Sequence, residues 1–250
     1  MECDSMKKLV VADFDGTLKP HECARVSDSV KQRVDALLEK GVVFAVSSGR
    51  TFAELADFLP AYLDRIYFIC NDGACYLQNQ KPLYEKQIET EDLLRFFACK
   101  DRGCCVFHGA LQNYTCSTKL SAEAASFHPI FVKNVYEIKE KIFKITTFGT
   151  RAELPANSQL RTHWDGGEAK TSQFVNRFAT KGRALSDLQM RLMITKFETA
   201  CIGDSGNDVA MMHNAKYAFC IGSRSKELSS VCTNCTPRAE DALAFLLDQA

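Results

Sequence analysis

Two stretches of this chain, one toward each end, alternate wholly apolar segments with amphipathic ones, and that alternation leaves few folds open. In the first, LVVADF reads as a strand, SDSVKQRVDALLEK as a helix with Val30, Val34, Leu37 and Leu38 on one face, GVVFAVSSG as a second strand, FAELADFL as a short helix and RIYFICN as a third strand. Strands that are apolar nearly throughout, rather than at alternate residues, are covered on both faces. That is the condition of a parallel sheet with helices on both sides. In the second stretch KGRALSDLQMRLMI reads as a helix, TACIGD as a strand, GNDVAMMHNA as a helix, YAFCIG as a strand and AEDALAFLLDQ as a closing helix. These supply the missing half of the same sheet.

Between them GCCVFH, NYTC and KIFKITTF read as strands and TEDLLRFFACK and RAELPANSQL as helices, so the spacing predicts a discontinuous core of residues 1–77 and 177–250 with an α/β lobe of residues 78–176 inserted into it. The 31 basic and 31 acidic residues cancel, which gives no overall field for nucleic acid. No apolar run reaches the ~18 residues of a membrane span, and MECDSMKK leads straight into a strand rather than into a secretion signal. Twelve cysteines are many, yet Cys70, Cys201 and Cys220 lie inside apolar runs where a reduced thiol behaves as a small hydrophobe, and a cytoplasmic location is expected. Cys232 and Cys235 have metal or redox spacing without a second pair or a strand-to-helix context, and are read as structural or incidental.

Four short segments, DFDGT, SSGR, TKGRAL and GDSGND, fall at the carboxyl ends of the core strands or at a helix start. In a parallel sheet those ends share one side, so residues far apart in sequence converge on one crevice. There Asp13, Asp15, Asp204 and Asp208 would repel one another strongly. A hard divalent cation resolves this, and Mg²⁺ suits best because it takes a few carboxylates and completes its shell with waters and a phosphate oxygen. As helix caps or turn residues Asp204 and Asp208 would be ordinary, but a Gly-Thr turn rather than a helix follows Asp13. Lys181, at a helix head, would bring a point positive charge to the crevice, and Ser48 and Gly49 offer a hydroxyl and a backbone N–H to phosphate oxygens.

The set DFDGT, SSGR, TKGRAL and GDSGNDVAMM, in that order and with a lobe inserted before the lysine, resembles the haloacid dehalogenase superfamily and within it the Cof-type phosphatases, mostly acting on sugar phosphates. The resemblance implies a Rossmann-like core with an inserted α/β cap. It implies Asp13 as a nucleophile that forms an aspartyl-phosphate, Asp15 as general acid and base, and Ser48, Gly49, Lys181 and Asn207 as phosphate-binding residues. Mg²⁺ would be held by Asp13, Asp204 and the backbone carbonyl of Asp15, with Asp208 in support. The implied reaction is hydrolysis of a small phosphate monoester by a monomer or small homo-oligomer; a phosphomutase or phosphotransferase would use the same intermediate. The chain departs from the family pattern at Asp72, in CNDGAC, where an amide is usual and a turn role is expected, and at Gln173, where an acid is common. Glu168, Arg177 and Trp164 are read as packing or ordinary surface.

Overall fold

The computed structural model describes residues 8–98, 103–149, 158–165, 170–222 and 225–250, without the side chains of 164 and 165. In chain order the elements are β1 (Leu9–Asp13), α1 (Asp28–Glu39), β2 (Val43–Ser47), α2 (Phe52–Phe58), β3 (Tyr67–Cys70), β4 (Cys75–Gln78), β5 (Lys81–Glu85), α3 (Thr90–Ala98), β6 (Cys104–His108), β7 (Asn113–Thr115), α4 (Ala122–Ala125), β8 (Ile130–Phe131), β9 (Lys144–Phe148), β10 (Leu160–Asp165), β11 (Thr171–Asn176), α5 (Lys181–Leu192), β12 (Thr199–Gly203), α6 (Val209–Met212), β13 (Tyr217–Ile221), α7 (Lys226–Val231), β14 (Asn234–Thr236) and α8 (Ala239–Gln249).

The first sheet has the order β14-β13-β12-β1-β2-β3-β4-β5, parallel from β14 to β3 and antiparallel thereafter. Because side chains alternate along a strand, Val10 and Ala12 of β1 join a core with Val34 and Leu37 of α1, Leu55 of α2 and Leu243 of α8, while Leu9 and Val11 join Leu185 and Leu188 of α5, Met211 of α6 and Leu228 of α7 on the opposite face. Both faces are therefore covered, as the unbroken apolar runs require. The helix starts carry the expected signals: Ser27 caps α1, Thr51 and Glu54 form a capping box at α2, and the Thr180 hydroxyl accepts from Arg183 N–H at α5.

The second sheet, β10-β11-β9-β6-β7-β8, is antiparallel apart from the β7–β8 pair. Leu93 and Phe96 of α3 pack on one of its faces with Phe107, Ile145 and Phe174, and Ala124 of α4 packs on the other with Val106 and Phe148.

Several elements differ from the sequence expectation. The first sheet runs past residue 77 to Glu85, because the chain turns at Asn71–Gly73 and Cys75–Leu77, all buried, pair antiparallel with β3. GNDVAMMHNA is a 3₁₀ turn at Gly206–Asp208 followed by the single α-helical turn of α6 rather than one helix. The helix expected in RAELPANSQL lies mostly outside the described residues, and its end begins β10.

Candidate active site

Asp13 ends β1, Asp204 and Asp208 follow β12, and Lys181 is the first residue of α5, so four residues from three distant segments meet at the carboxyl edge of the sheet. The Lys181 ammonium donates to Asp13 Oδ1 at 2.5 Å and to Asp208 Oδ1 at 2.7 Å, with its side chain only 1% exposed. A cation in the first turn of a helix opposes the helix dipole, so this lysine is not there for the helix. The other oxygen of Asp208 accepts from the backbone N–H groups of Asp204 and Ser205, both at 3.1 Å. Gly203 makes the room: a Cβ there would lie 2.6 Å from Asp208 Oδ2.

Asp13, Asp204 and Asp208 each present an oxygen within 4.8 Å of the others, and all three are buried. Burial pushes Asp13 up to about 7, against the pull of Lys181 and with help from Asp208 and Asp204. Burial also works against the charge on Lys181, but Asp13 and Asp208 outweigh it and hold the amine protonated beyond the usual lysine range. Two of the three carboxylates, Asp13 and Asp208, share the one buried lysine, and the half-exposed His21 stands 3.7 Å from the third, Asp204. The donor set is all oxygen and buried, three carboxylates within 4.8 Å of one another, which fits a hard divalent ion. Gly16, at φ +85°, lets the DFDGT turn close over the trio, since a Cβ there would lie 2.3 Å from Asp204 Oδ2.

The Asp15 carboxylate is not part of this trio. Arg50 grips it with two bonds, Nε to Oδ2 at 2.6 Å and Nη2 to Oδ1 at 2.9 Å, and Lys19 stands 3.2 Å away. Burial pulls the Asp15 carboxyl upward, but these contacts outweigh it and hold the group below the usual carboxylate range. Arg50 is itself placed by Glu54 at 3.6 Å and by the ring of Phe58 beneath its guanidinium. Sequence reasoning quoted Arg50 in SSGR without giving it this role.

A carboxyl held low contributes stability that is full above its unfolded value of ~3.9 and is lost as pH falls through the folded one. Arg50→Ala is therefore expected to cost ~1 kcal/mol at pH 7, with the gap in urea midpoints narrowing as pH falls below ~3.9. A gap that does not narrow would assign the loss to packing on Phe58.

Asp15, Ser48, Gly49 and Asn207 line a cavity of about 820 Å³ that opens between the two sheets. Ser48 is buried, its hydroxyl accepting from Arg50 N–H at 3.1 Å, and Asn207 is exposed, its amide oxygen accepting from Ser205 Oγ at 2.6 Å. Across the cavity, Lys144 of β9 donates to the Gly49 carbonyl and stands 3.8 Å from Asp72. Asp72 does make the expected turn, at φ 58°, and also presents its carboxylate to the cavity. Gln173 lines the same space. Arg177 stacks on Phe178 instead, and Glu168 and the side chain of Trp164 lie outside the described residues. The one signal that could have exposed Lys144 was a buried charge at the head of the otherwise uncharged strand KITTF.

Away from the site, burial, with Cys220 and Cys235 adding, pushes the Cys232 thiol up to about 12, the opposite of a redox-active cysteine.

A doubly covered, mostly parallel sheet bearing a carboxylate trio and a lysine at its carboxyl edge, with a second lobe inserted beside it, defines a Rossmann-like α/β core with a cap. The family model for haloacid dehalogenase-like hydrolases matches residues 10–246, and the chain belongs to that family. It is similar to the 5-amino-6-(5-phospho-D-ribitylamino)uracil phosphatase YbjI of Escherichia coli K12, 22% identical over 236 residues that cover 86% of this chain and 84% of that protein. Among solved structures its fold is similar to the HAD subclass IIB sugar phosphatase BT4131, with TM-score 0.77 and 21% identity over 97% of this chain and 98% of that one. It is also similar to a haloacid dehalogenase-like hydrolase from Bacteroides thetaiotaomicron, with TM-score 0.82 and 18% identity over 96% and 99%.

Proposed function

We propose that this enzyme is a Mg²⁺-dependent phosphatase that hydrolyses small phosphate monoesters, sugar phosphates among them, through an aspartyl-phosphate on Asp13. The observation that carries the reading is the Lys181 ammonium, buried and bridging Asp13 and Asp208 at 2.5 and 2.7 Å. Such a lysine fixes a carboxylate oxygen for in-line attack and meets the charge of the transferring group.

In this reading Asp13 attacks phosphorus and the ester oxygen leaves with a proton from Asp15; water then attacks the aspartyl-phosphate, giving its proton to Asp15. Ser48, Gly49 N–H, Lys181 and Asn207 hold phosphoryl oxygens. Arg50 keeps Asp15 ionised, the form needed to take a proton from water, so donation to the leaving group requires the guanidinium to let go first. Asp13, Asp204 and the backbone carbonyl of Asp15 would hold Mg²⁺, while Asp208, both of whose oxygens are already engaged, would orient Lys181. Bound there, the ion supplies neutralisation of the charge shared by the carboxylates and the phosphate.

Cys70, Cys201 and Cys220 are buried free thiols, which suits a cytoplasmic enzyme acting on soluble esters, and no described helix is long and apolar enough to cross a membrane. Phosphate release from a panel of sugar and polyol phosphates is expected with Mg²⁺ and not with excess chelator. Ca²⁺ is expected to inhibit, since its longer bonds and higher ligand number disturb the attack geometry. Full turnover of the chelated protein would refute the metal dependence.

A further inference from the structure

The charges lining the cavity are segregated. Those from the first sheet and its loops are Asp15, Glu54 and Asp72, with Arg50 alone of opposite sign; those from the lobe are the cations Lys144 and Arg161, with the imidazole of His163 beside them. Pairing consumes nearly all of them. Arg50 engages Asp15 and Glu54, and Lys144 engages Asp72 and the Gly49 carbonyl. Arg161 is the exception. Its Nε and Nη2 donate to a neutral partner, the carbonyl of Ala179, at 3.1 and 2.8 Å, and among the described side chains no carboxylate forms an ion pair with it.

That clamp also fixes the direction of the guanidinium at low entropic cost to a ligand, leaving Nη1 to donate. His163 lies two residues further along β10, on the same face as Arg161, and the β10–β11 register sets Gln173 directly opposite His163. All three line the cavity. This partly desolvated arginine, with no carboxylate among its described ion-pair partners, has two further hydrogen-bonding groups, His163 and Gln173, lining the same cavity.

We propose that Arg161, His163 and Gln173 form a subsite for a second anionic group, a carboxylate or a second phosphate, carried by the leaving-group end of the substrate. The preferred esters are then phosphorylated acids or bisphosphates rather than neutral sugar monophosphates. This rests on the phosphatase reading for the orientation of the ligand, with its reacting phosphate at Asp13 and its far end under the lobe.

The test is calorimetric binding of phosphonates to the Mg²⁺-loaded protein, because a carbon–phosphorus bond is not hydrolysed and the readout needs no turnover. Phosphonocarboxylates, alkylene bisphosphonates and plain alkylphosphonates of matched lengths are compared. One of the two series that carry a second anionic group is expected to bind on the order of 10- to 100-fold tighter than the plain series, as charge-assisted hydrogen bonds allow. The series that gains identifies the second group as carboxylate or phosphate. In Arg161→Gln the ratio is expected to fall toward unity. His163→Gln, at an exposed position, is expected to reduce it and covers the case in which the arginine variant fails to fold. Equal affinities for all three series in the wild type would overturn the subsite and leave the phosphatase reading standing. Failure of every phosphonate to bind would overturn both.

Discussion

Asp13→Asn is expected to reduce phosphate ester hydrolysis to the uncatalysed background, a fall of ~10³-fold or more, while the chelated protein melts no lower than the parent. The two effects have different origins. The substitution removes the attacking oxygen and a metal ligand together, so no covalent intermediate can form. It also removes one of three clustered buried carboxylates, and Lys181 keeps Asp208 as its partner. Burial has pushed Asp13 up to about 7, so the folded state loses stability as pH rises from the unfolded value of ~3.9 and the loss levels off only above about 7, and the amide is free of this cost. The gain in melting temperature should therefore be larger at pH 8 than at pH 6. In the parent, beryllium trifluoride with Mg²⁺ should raise the melting temperature by mimicking a phosphoryl group on Asp13. Substantial turnover in the variant, or phosphate trapped on another residue, would refute the assignment.

Lys181→Met is expected to combine loss of activity with a large loss of stability, ~3–5 kcal/mol by urea unfolding at pH 8. Methionine fills much of the same volume, so the loss is electrostatic: the buried Asp13 and Asp208 lose their shared cation, and both are 7% exposed or less at the side chain. Protonation of Asp13 relieves part of the strain, so the loss should shrink at pH 6. Added Mg²⁺ should restore part of the stability without restoring turnover. A variant as stable as the parent at both pH values would show that the ammonium contributes nothing net to the fold.

The strands at the centre of the first sheet were legible because β1, β2 and β3 are apolar almost without interruption, a pattern that only two-sided burial explains. The family was legible from the four motifs and their order. The β4–β5 hairpin was not, because the short apolar run CYLQ is silent on which sheet a strand joins; that is decided by the turn at Asn71–Gly73, where Asn71 and Asp72 both take left-handed backbone without being glycine. The segments α7 and β14 are short and only partly buried, so they carry little periodicity to read. At the site, the motifs nominated Asp13, Asp204, Asp208 and Lys181 as neighbours, and the structure brings those four together. It separates the Asp15 side chain from them, for a reason no spacing rule contains: Arg50 comes from the next strand's loop and its reach is set by packing on Phe58. Arg161 and Lys144 were invisible for the same reason, being alternate-face residues of lobe strands whose register had to be known first.

The central strand of the first sheet carries a consequence for how the protein comes into being. β1 pairs with β2 on one side and with β12 on the other, Leu9 facing Thr199, so most of the chain separates the two partners of that second pairing. During synthesis β1 to β5 and the lobe emerge long before β12 exists, and until then one edge of β1 is an exposed apolar template. Such distant pairings are slow, because loop closure precedes any reward from the contacts it allows. Mutations that weaken β12 or α5 should therefore show first as poor recovery from refolding and as aggregation at high concentration, before any change in the properties of the molecules that do fold.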